Sequence, residues 1–445
     1  MTEKIKLYHV TVLSNFARGF DKYAHAYSKA GISESTFPDR FFLLHRHELA
    51  VGVEKASKLL HKLGIHGDRL IVLETEVDPA QLHAHTVSGR GQFIHDRQIA
   101  LTRIYDWKPG ADDGQLRARQ VEDVMADSLG LAHQRMHAYA DVKPRTISFL
   151  PVASACQARC TFCFSKASIS HDQVHAKPDW RMIEDWLDLA ATRGAERAVI
   201  TGGGEPTLLP ANSLQKLITF CGQRFDKVVL ITNAHQLARL PEAERSRHLR
   251  ALYDAGLRVL AISRHHFDAA RNERLMGLHT PVEAVIHTWR EHRARWPLLR
   301  LRLICVLQRS GVENQIEIER YLSWASRLGV EEVCFKELYV STSTESVYHD
   351  HAANVWSREH QVPLSWVTRF AEERGFALQE TLPWGAPVYR GEWLGAPLRI
   401  AAYTEPSLYW ERTHGIARSW NMMADGRCYV SLEDHASEIT REQLA

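Results

Sequence analysis

Short apolar runs alternate with amphipathic stretches along most of the 445-residue chain, but in two different rhythms. Residues 6–12, 40–44 and 70–77 are rich in β-branched, aromatic and aliphatic side chains and read as strands. Between the last two, Leu49, Val53, Ala56, Leu59, Leu60 and Leu63 recur at helical spacing over residues 48–63, and Gly64 supplies a stop. Residues 108–114 turn polar and rich in Gly, Pro and Asp, which predicts a surface loop. The pattern over residues 1–140 therefore predicts a separate α+β domain, for which substrate recognition or a lid is the expected role.

Over residues 141–340 the rhythm is more regular. Apolar runs at 146–152, 198–201, 227–232, 258–263, 299–307 and 332–338 alternate with amphipathic stretches, so six βα units are predicted. The first helix shows the logic. Trp180, Ile183, Trp186, Leu187 and Ala190 share one face, Glu184, Asp185 and Asp188 fall elsewhere, and Gly194 follows the end. Parallel strands covered by helices present functional side chains in the loops after their C-terminal ends. Beyond residue 340 the repeat stops. Residues 341–445 hold Trp356, Trp366, Trp384, Trp393, Trp410 and Trp420, half of the 12 tryptophans, which predicts a packed extension or a cavity wall.

Composition narrows the classes. With 55 Lys plus Arg against 53 Asp plus Glu there is no global basic field, so nucleic acid is not an expected partner. No apolar run approaches the ~18 residues of a membrane span, and the first residues do not lead into a signal-peptide core, so a cytoplasmic location is expected. Seven cysteines, an odd number with three of them packed together, fit a reducing compartment where thiolates serve as metal ligands or core residues.

Those three form Cys156-Gln157-Ala158-Arg159-Cys160-Thr161-Phe162-Cys163, directly after the first strand of the regular region. Three thiolates on one loop can cap three irons of a cubane cluster and leave the fourth iron without a protein ligand. A zinc site would want a fourth ligand; no second close pair is visible, though His171 and His175 are near in sequence and keep zinc as an alternative. The spacing, with Phe162 before the third cysteine and Phe164 after it, resembles the signature of the radical S-adenosylmethionine (SAM) superfamily.

The resemblance implies further site residues. In that family the second strand ends in a Gly-Gly-Glu segment that contacts the amino group of SAM, and here it ends in Gly202-Gly203-Gly204-Glu205, so Gly203, Gly204 and Glu205 become cofactor-binding candidates. Glycine permits close backbone approach, and a carboxylate is a natural partner for an ammonium group. The third strand ends in Thr232-Asn233-Ala234, similar to the family's Thr-Asn-Gly with Ala in place of Gly, and the fourth in Ile262-Ser263-Arg264-His265-His266. By the same resemblance Asn233, Ser263 and Arg264 are implied at the ribose hydroxyls and carboxylate of SAM, and Phe162 as a further cofactor contact. The fold implied is α/β: a partial (β/α)6 radical SAM barrel over residues 141–340, with the N-terminal α+β domain and a C-terminal extension over 341–445.

The chemistry implied is a [4Fe-4S] cluster on Cys156, Cys160 and Cys163 that cleaves SAM reductively to methionine and a 5′-deoxyadenosyl radical, which abstracts hydrogen from an organic substrate. A peptide or specialised metabolite is the expected substrate, and a flavodoxin or ferredoxin the expected electron donor, under low oxygen. His265, His266, Lys336 and Glu337 lie at or beyond strand ends, where they are candidates for proton transfer or for binding a charged substrate group, and Tyr339 is a candidate radical relay. RNA-base modification would instead require a basic, aromatic-studded face on an accessory domain. A non-catalytic iron–sulfur or zinc-binding protein is a third reading. The close histidine pairs 45/47, 83/85 and 349/351 lack an evident third ligand. Cys305 and Cys334 read as buried thiols, and Asp425-Gly426 as a hairpin turn rather than part of a second cluster.

Overall fold

Residues 4–12, 49–62, 70–77, 101–108, 115–119, 137–166, 168–171, 177–340, 346–348, 350–406 and 408–444 are described by the computed structural model. The chain divides into two units, Met1–Arg135 and Met136–Ala445. In the first, β1 (Ile5–Val12), β2 (Leu70–Val77), β3 (Leu101–Lys108) and β4 (Gln115–Arg119) form an antiparallel sheet in that order. Tyr8 and Val10, two apart on β1 and so on one face, pack with Val72 against Leu49, Val53 and Ala56 of α1 (Leu49–Lys62). The strand expected at 40–44, most of the loop at 108–114 and the pairs 45/47 and 83/85 lie outside the described residues.

The second unit opens with β5 (Lys143–Pro144) and then follows the predicted alternation: β6 (Ile147–Leu150), α2 (Trp180–Thr192), β7 (Ala198–Ile200), α3 (Ala211–Gly222), β8 (Val228–Thr232), α4 (Glu242–Asp254), β9 (Val259–Ser263), α5 (Val282–His292), β10 (Arg300–Val306), α6 (Gln315–Arg327) and β11 (Glu332–Lys336). Strands β6 to β11 pair in parallel in chain order. Their outer faces, such as Ile200, Leu230, Leu260 and Leu303, join the helices in one large core. Their inner faces carry Val199, Val229, Ile231, Val259, Ala261, Ile304 and Cys334, an apolar layer of strand residues alone. These are the parts of a partial barrel.

The C-terminal segment does more than pack against this sheet. It contributes α7 (Ala352–His360), β12 (Ala377–Thr381), β13 (Pro387–Trp393), β14 (Ala396–Tyr403), α8 (Leu408–His414), β15 (Ile416–Ala417), β16 (Trp420–Met423), β17 (Cys428–Tyr429) and β18 (Glu438–Ile439). β14 adds in parallel to β11, and β16 adds in parallel to β6. The parallel run thus reads β14-β11-β10-β9-β8-β7-β6-β16, with antiparallel β12-β13 beyond one end and β17-β18 beyond the other. The two ends are tied by an ion pair, Arg418 Nη1 to Glu405 Oε2 at 2.8 Å. Strands of a curled parallel sheet tilt and stagger, which is how a residue just past the end of β14 meets one just before the start of β16. Asp425-Gly426 turns the β16–β17 hairpin with Gly426 at φ +90°, as its turn chemistry predicts. No helix among the described residues is long and apolar enough to cross a membrane.

Candidate functional site

The cysteine loop follows β6 and is clamped on two sides by backbone. Gly204 N donates to Val152 O at 2.7 Å and Glu205 N to Ala155 O at 2.8 Å, which draws the glycine loop after β7 against it. A Cβ built on Gly204 would stand 2.1 Å from Ala155 O, so only glycine permits this approach. On the other side Arg159 N donates to Met276 O at 2.6 Å, and Gly277, at φ +57°, leaves room for the Arg159 side chain. Arg159 Nη1 closes the loop on Cys156 O at 2.7 Å.

Cys156, Cys160 and Cys163 are all free thiols. Burial pushes the Cys160 thiol up to about 12, with Cys163 and Cys156 adding to the rise, and burial also raises Cys156, with Glu205 and Cys163 adding to it. Thiolates here therefore need a cation to compensate them, which is what cluster irons supply. No three His, Cys, Asp or Glu among the described residues converge on one point as ligands of a single ion would. Thiolates that each cap a different iron of a cubane have no need to. The donor set and the glycine cradle fit a cluster with a ligand lying over it.

Glu205 is 3% exposed and is the tie between two strand ends. Its Oε1 accepts from Thr207 N at 3.1 Å, Thr207 Oγ1 at 2.7 Å and Thr232 Oγ1. Its Oε2 accepts from Asn233 N at 2.8 Å and retains one acceptor direction. Asn233 Nδ2 points at the cysteine loop, 3.2 Å from Gln157 Oε1 and 3.7 Å from Cys156 Sγ. Ala234, standing where the resemblance expects Gly, adopts φ +60°, the left-handed conformation that favours glycine.

Two of the candidates on β9 and its loop are placed otherwise than expected. Side chains alternate along a strand, so Ser263 and Arg264 cannot both face the barrel interior. Arg264 is 1% exposed and turns to the helix layer, where its guanidinium donates to His266 O at 2.8 Å, Phe267 O at 3.2 Å, Thr280 O at 3.3 Å and Glu283 Oε1 at 3.3 Å. With these donors engaged it is a structural tie, not a ligand of a carboxylate on the inner side. His265 is buried, and its Nδ1 accepts from Val306 N at 3.1 Å, so the neutral ring carries its proton on Nε2. Burial, with Arg264 and Lys336 nearby, holds it down to about 3, so it does not carry a proton at neutral pH. It is a wall: the Phe162 ring stands edge-on to it at 5.0 Å. His266 faces Glu317 at 3.7 Å, away from the cysteine loop.

Lys336, inward-facing at the end of β11, donates to Glu405 Oε1 at 2.7 Å. Burial alone would raise Glu405, but Arg418 and Lys336 outweigh it and hold the carboxyl at about 2. Tyr403 Oη donates to Glu405 Oε2 at 3.1 Å, and its ring lies 5.0 Å under the lysine ammonium. Beside this group Glu411 is pushed up to about 8 by burial, its Oε1 accepting from Arg418 N at 2.6 Å. Tyr339 donates to Glu433, and its ring meets Phe164 at 5.1 Å. Glu337 instead accepts from Thr404 Oγ1 at 2.8 Å.

Sequence reasoning missed Glu405, Arg418, Glu411 and Glu433, which arrive from distant segments without a motif. It also left unassigned Trp356 and Tyr348, whose rings meet Phe162 at 5.9 Å and Phe164 at 5.0 Å. The tryptophan density of the tail was the available signal, and Trp356 does line the wall over the cysteine loop.

Comparison with known proteins agrees with the motif. The family model of the radical SAM superfamily matches residues 150–298. No curated protein matches the chain. Among solved structures, Streptococcus suis SuiB bound to S-adenosylmethionine is similar at 15% identity and a TM-score of 0.41, over 72% of this chain and 67% of that one. The structure of anSMEcpe with bound AdoMet is similar at 13% identity and 0.39, over 68% and 80%. Coproporphyrinogen III oxidase (HemN) from Escherichia coli is similar at 13% identity and 0.35, over 54% and 55%. Likeness of that degree assigns no activity.

Proposed function

Because the chain is an enzyme of the radical SAM superfamily through residues 150–298, whose members use SAM and an iron–sulfur cluster, we propose that Cys156, Cys160 and Cys163 hold a [4Fe-4S] cluster and that SAM lies over it against the glycine loop. When bound and reduced by one electron from a flavodoxin- or ferredoxin-like donor, this pair supplies a 5′-deoxyadenosyl radical and methionine, and the radical takes a hydrogen atom from an organic substrate. The observation that supports the reading best is the backbone-to-backbone contact of the cysteine and glycine loops at Gly204.

The chain's own residues have assignable parts in this reading. The free direction on Glu205 Oε2 and the backbone around Gly203 and Gly204 take the amino group of SAM, while Asn233 and Ser263 face its ribose side. Phe162, His265 and Trp356 form a wall that keeps water from the radical. Lys336 and Tyr339 stand on the substrate side, with Lys336 held in place by Glu405. A substrate that is a peptide or a specialised metabolite suits a wall of both ionic and aromatic character.

The test is anaerobic incubation of the cluster-loaded protein with dithionite and SAM, scoring 5′-deoxyadenosine by mass spectrometry, against a variant with Cys156, Cys160 and Cys163 all changed to Ala. The native protein is expected to form the nucleoside and to carry iron and sulfide, and the variant to do neither. Full iron and sulfide in the variant would remove the assignment.

A further inference from the structure

The opposite mouth of the barrel, where the strands begin, holds a set of cations that the chemistry above does not use. Val199 and Val229 line the inner apolar layer, so Arg197 and Lys227, each two residues earlier, share that inward face. Arg302 stands two before inward-facing Ile304, and Arg399 pairs in register with Glu332, two before Cys334. Arg145, just before β6, lies on the rim beside Arg197, the two sharing Glu196.

Cations outnumber their partners here. Glu332 Oε1 takes Arg302 Nη2 at 2.9 Å and Arg399 Nη1 at 2.7 Å. Glu196 Oε2, on the rim, takes Arg145 Nε at 3.1 Å and Arg197 Nη2 at 3.2 Å, and Glu380 takes Arg399. Lys227 makes no ion pair or hydrogen bond among the described residues. Burial, with Arg197, Arg302 and Arg300 close by, outweighs the attraction of Glu332 and brings it down to about 8. Arg145 Nη1 and Arg197 Nε are buried with no acceptor, and Glu332 Oε2 with no donor. The four guanidinium side chains keep between 18% and 24% of their surface exposed, so a small ligand can reach them.

We propose that this mouth binds a phosphate group. A phosphate offers several acceptor oxygens to guanidinium forks and an ammonium, and in its monoprotonated form one O–H for the open carboxylate oxygen of Glu332. A carboxylate ligand has no such donor when ionised. The site is separate from the cysteine loop and independent of the reaction there.

Titration calorimetry on the full-length, cluster-loaded protein at constant ionic strength tests this, with inorganic phosphate and glycerol phosphate as two probes and sodium chloride as the balancing salt. Binding of one equivalent is expected, with both probes if the site reads the phosphate alone and with one of them if it also reads what the phosphate carries. Lys227→Met should weaken it about tenfold, as should Arg197→Gln, while Lys216→Ala on an outer helix leaves it unchanged. Melting curves give a second readout. Because Lys227 makes no ion pair or hydrogen bond to lose, Lys227→Met should raise the melting temperature without phosphate and shrink the further rise that phosphate gives the native chain. Absence of heat and of any melting shift with both probes, or equal weakening by Lys216→Ala, overturns the proposal.

Discussion

The two ends of the same parallel strands bury charge in opposite ways. At the C-terminal end, Glu405 stands between Lys336 and Arg418 with Tyr403 on its second oxygen, so each cation has a carboxylate partner and is held in place. At the N-terminal mouth, Lys227 is unpaired and arginine nitrogens lack acceptors. Between them lies an apolar layer of strand side chains. A network in which every charge has a partner fixes geometry. An uncompensated one keeps a standing attraction for an ion of opposite sign.

The comparison can be broken or sharpened by substitution. The largest effect is expected from Gly204→Ala, whose added methyl would meet the Ala155 backbone. Displacing the cysteine loop by about an ångström should lower 5′-deoxyadenosine formation ~100-fold, and unchanged turnover with full iron content would mean that the loop contact is incidental. Next, Glu405→Ala leaves two cations facing each other in a buried place and should cost about 3 kcal/mol in denaturant unfolding. A loss under about 1 kcal/mol would put it among ordinary surface pairs and erase the contrast between the two ends.

Glu411 offers a pH test. Its carboxyl titrates near 8 in the folded chain, against about 4.3 when unfolded, so the folded state keeps a proton that the unfolded state has lost. Stability should fall as pH rises from about 4 to 8 and level off above. Glu411→Gln removes that fall, and its advantage over the native chain in urea melts should grow by at least ~1 kcal/mol between pH 5 and pH 8. A constant difference would place the carboxyl in water. The smallest effect is expected from Ala234→Gly. Relief of left-handed strain, about 1 kcal/mol, is offset by a lost buried methyl and a more flexible unfolded chain, leaving the melting temperature nearly unchanged.

Much of the barrel was readable because its information is local. All six predicted apolar runs became β6 to β11 within a few residues, and α1 and α2 kept their predicted buried faces. The cysteine loop and Gly204 were readable because close backbone approach leaves a mark in the sequence. The period of two along β9 would have sufficed to separate Ser263 from Arg264, which the resemblance places together, since neighbours on a strand face opposite ways. What could not be read was set by distant pairing. Nothing near residue 399 specifies that it will lie beside Glu332, and nothing near Arg418 names Glu405. Such registers depend on which edges remain open once the six central strands have formed.

The pairing of β16 with β6 orders events in time. β6 ends at Leu150 and its outer neighbour begins at Trp420, so in a chain synthesised from its N-terminus that edge has no partner until a distant later segment has emerged. Until then a bare row of peptide groups stands beside the strand that leads into the cysteine loop. A ribosome that stalls before residue 420 therefore leaves an unfinished barrel with an adhesive edge.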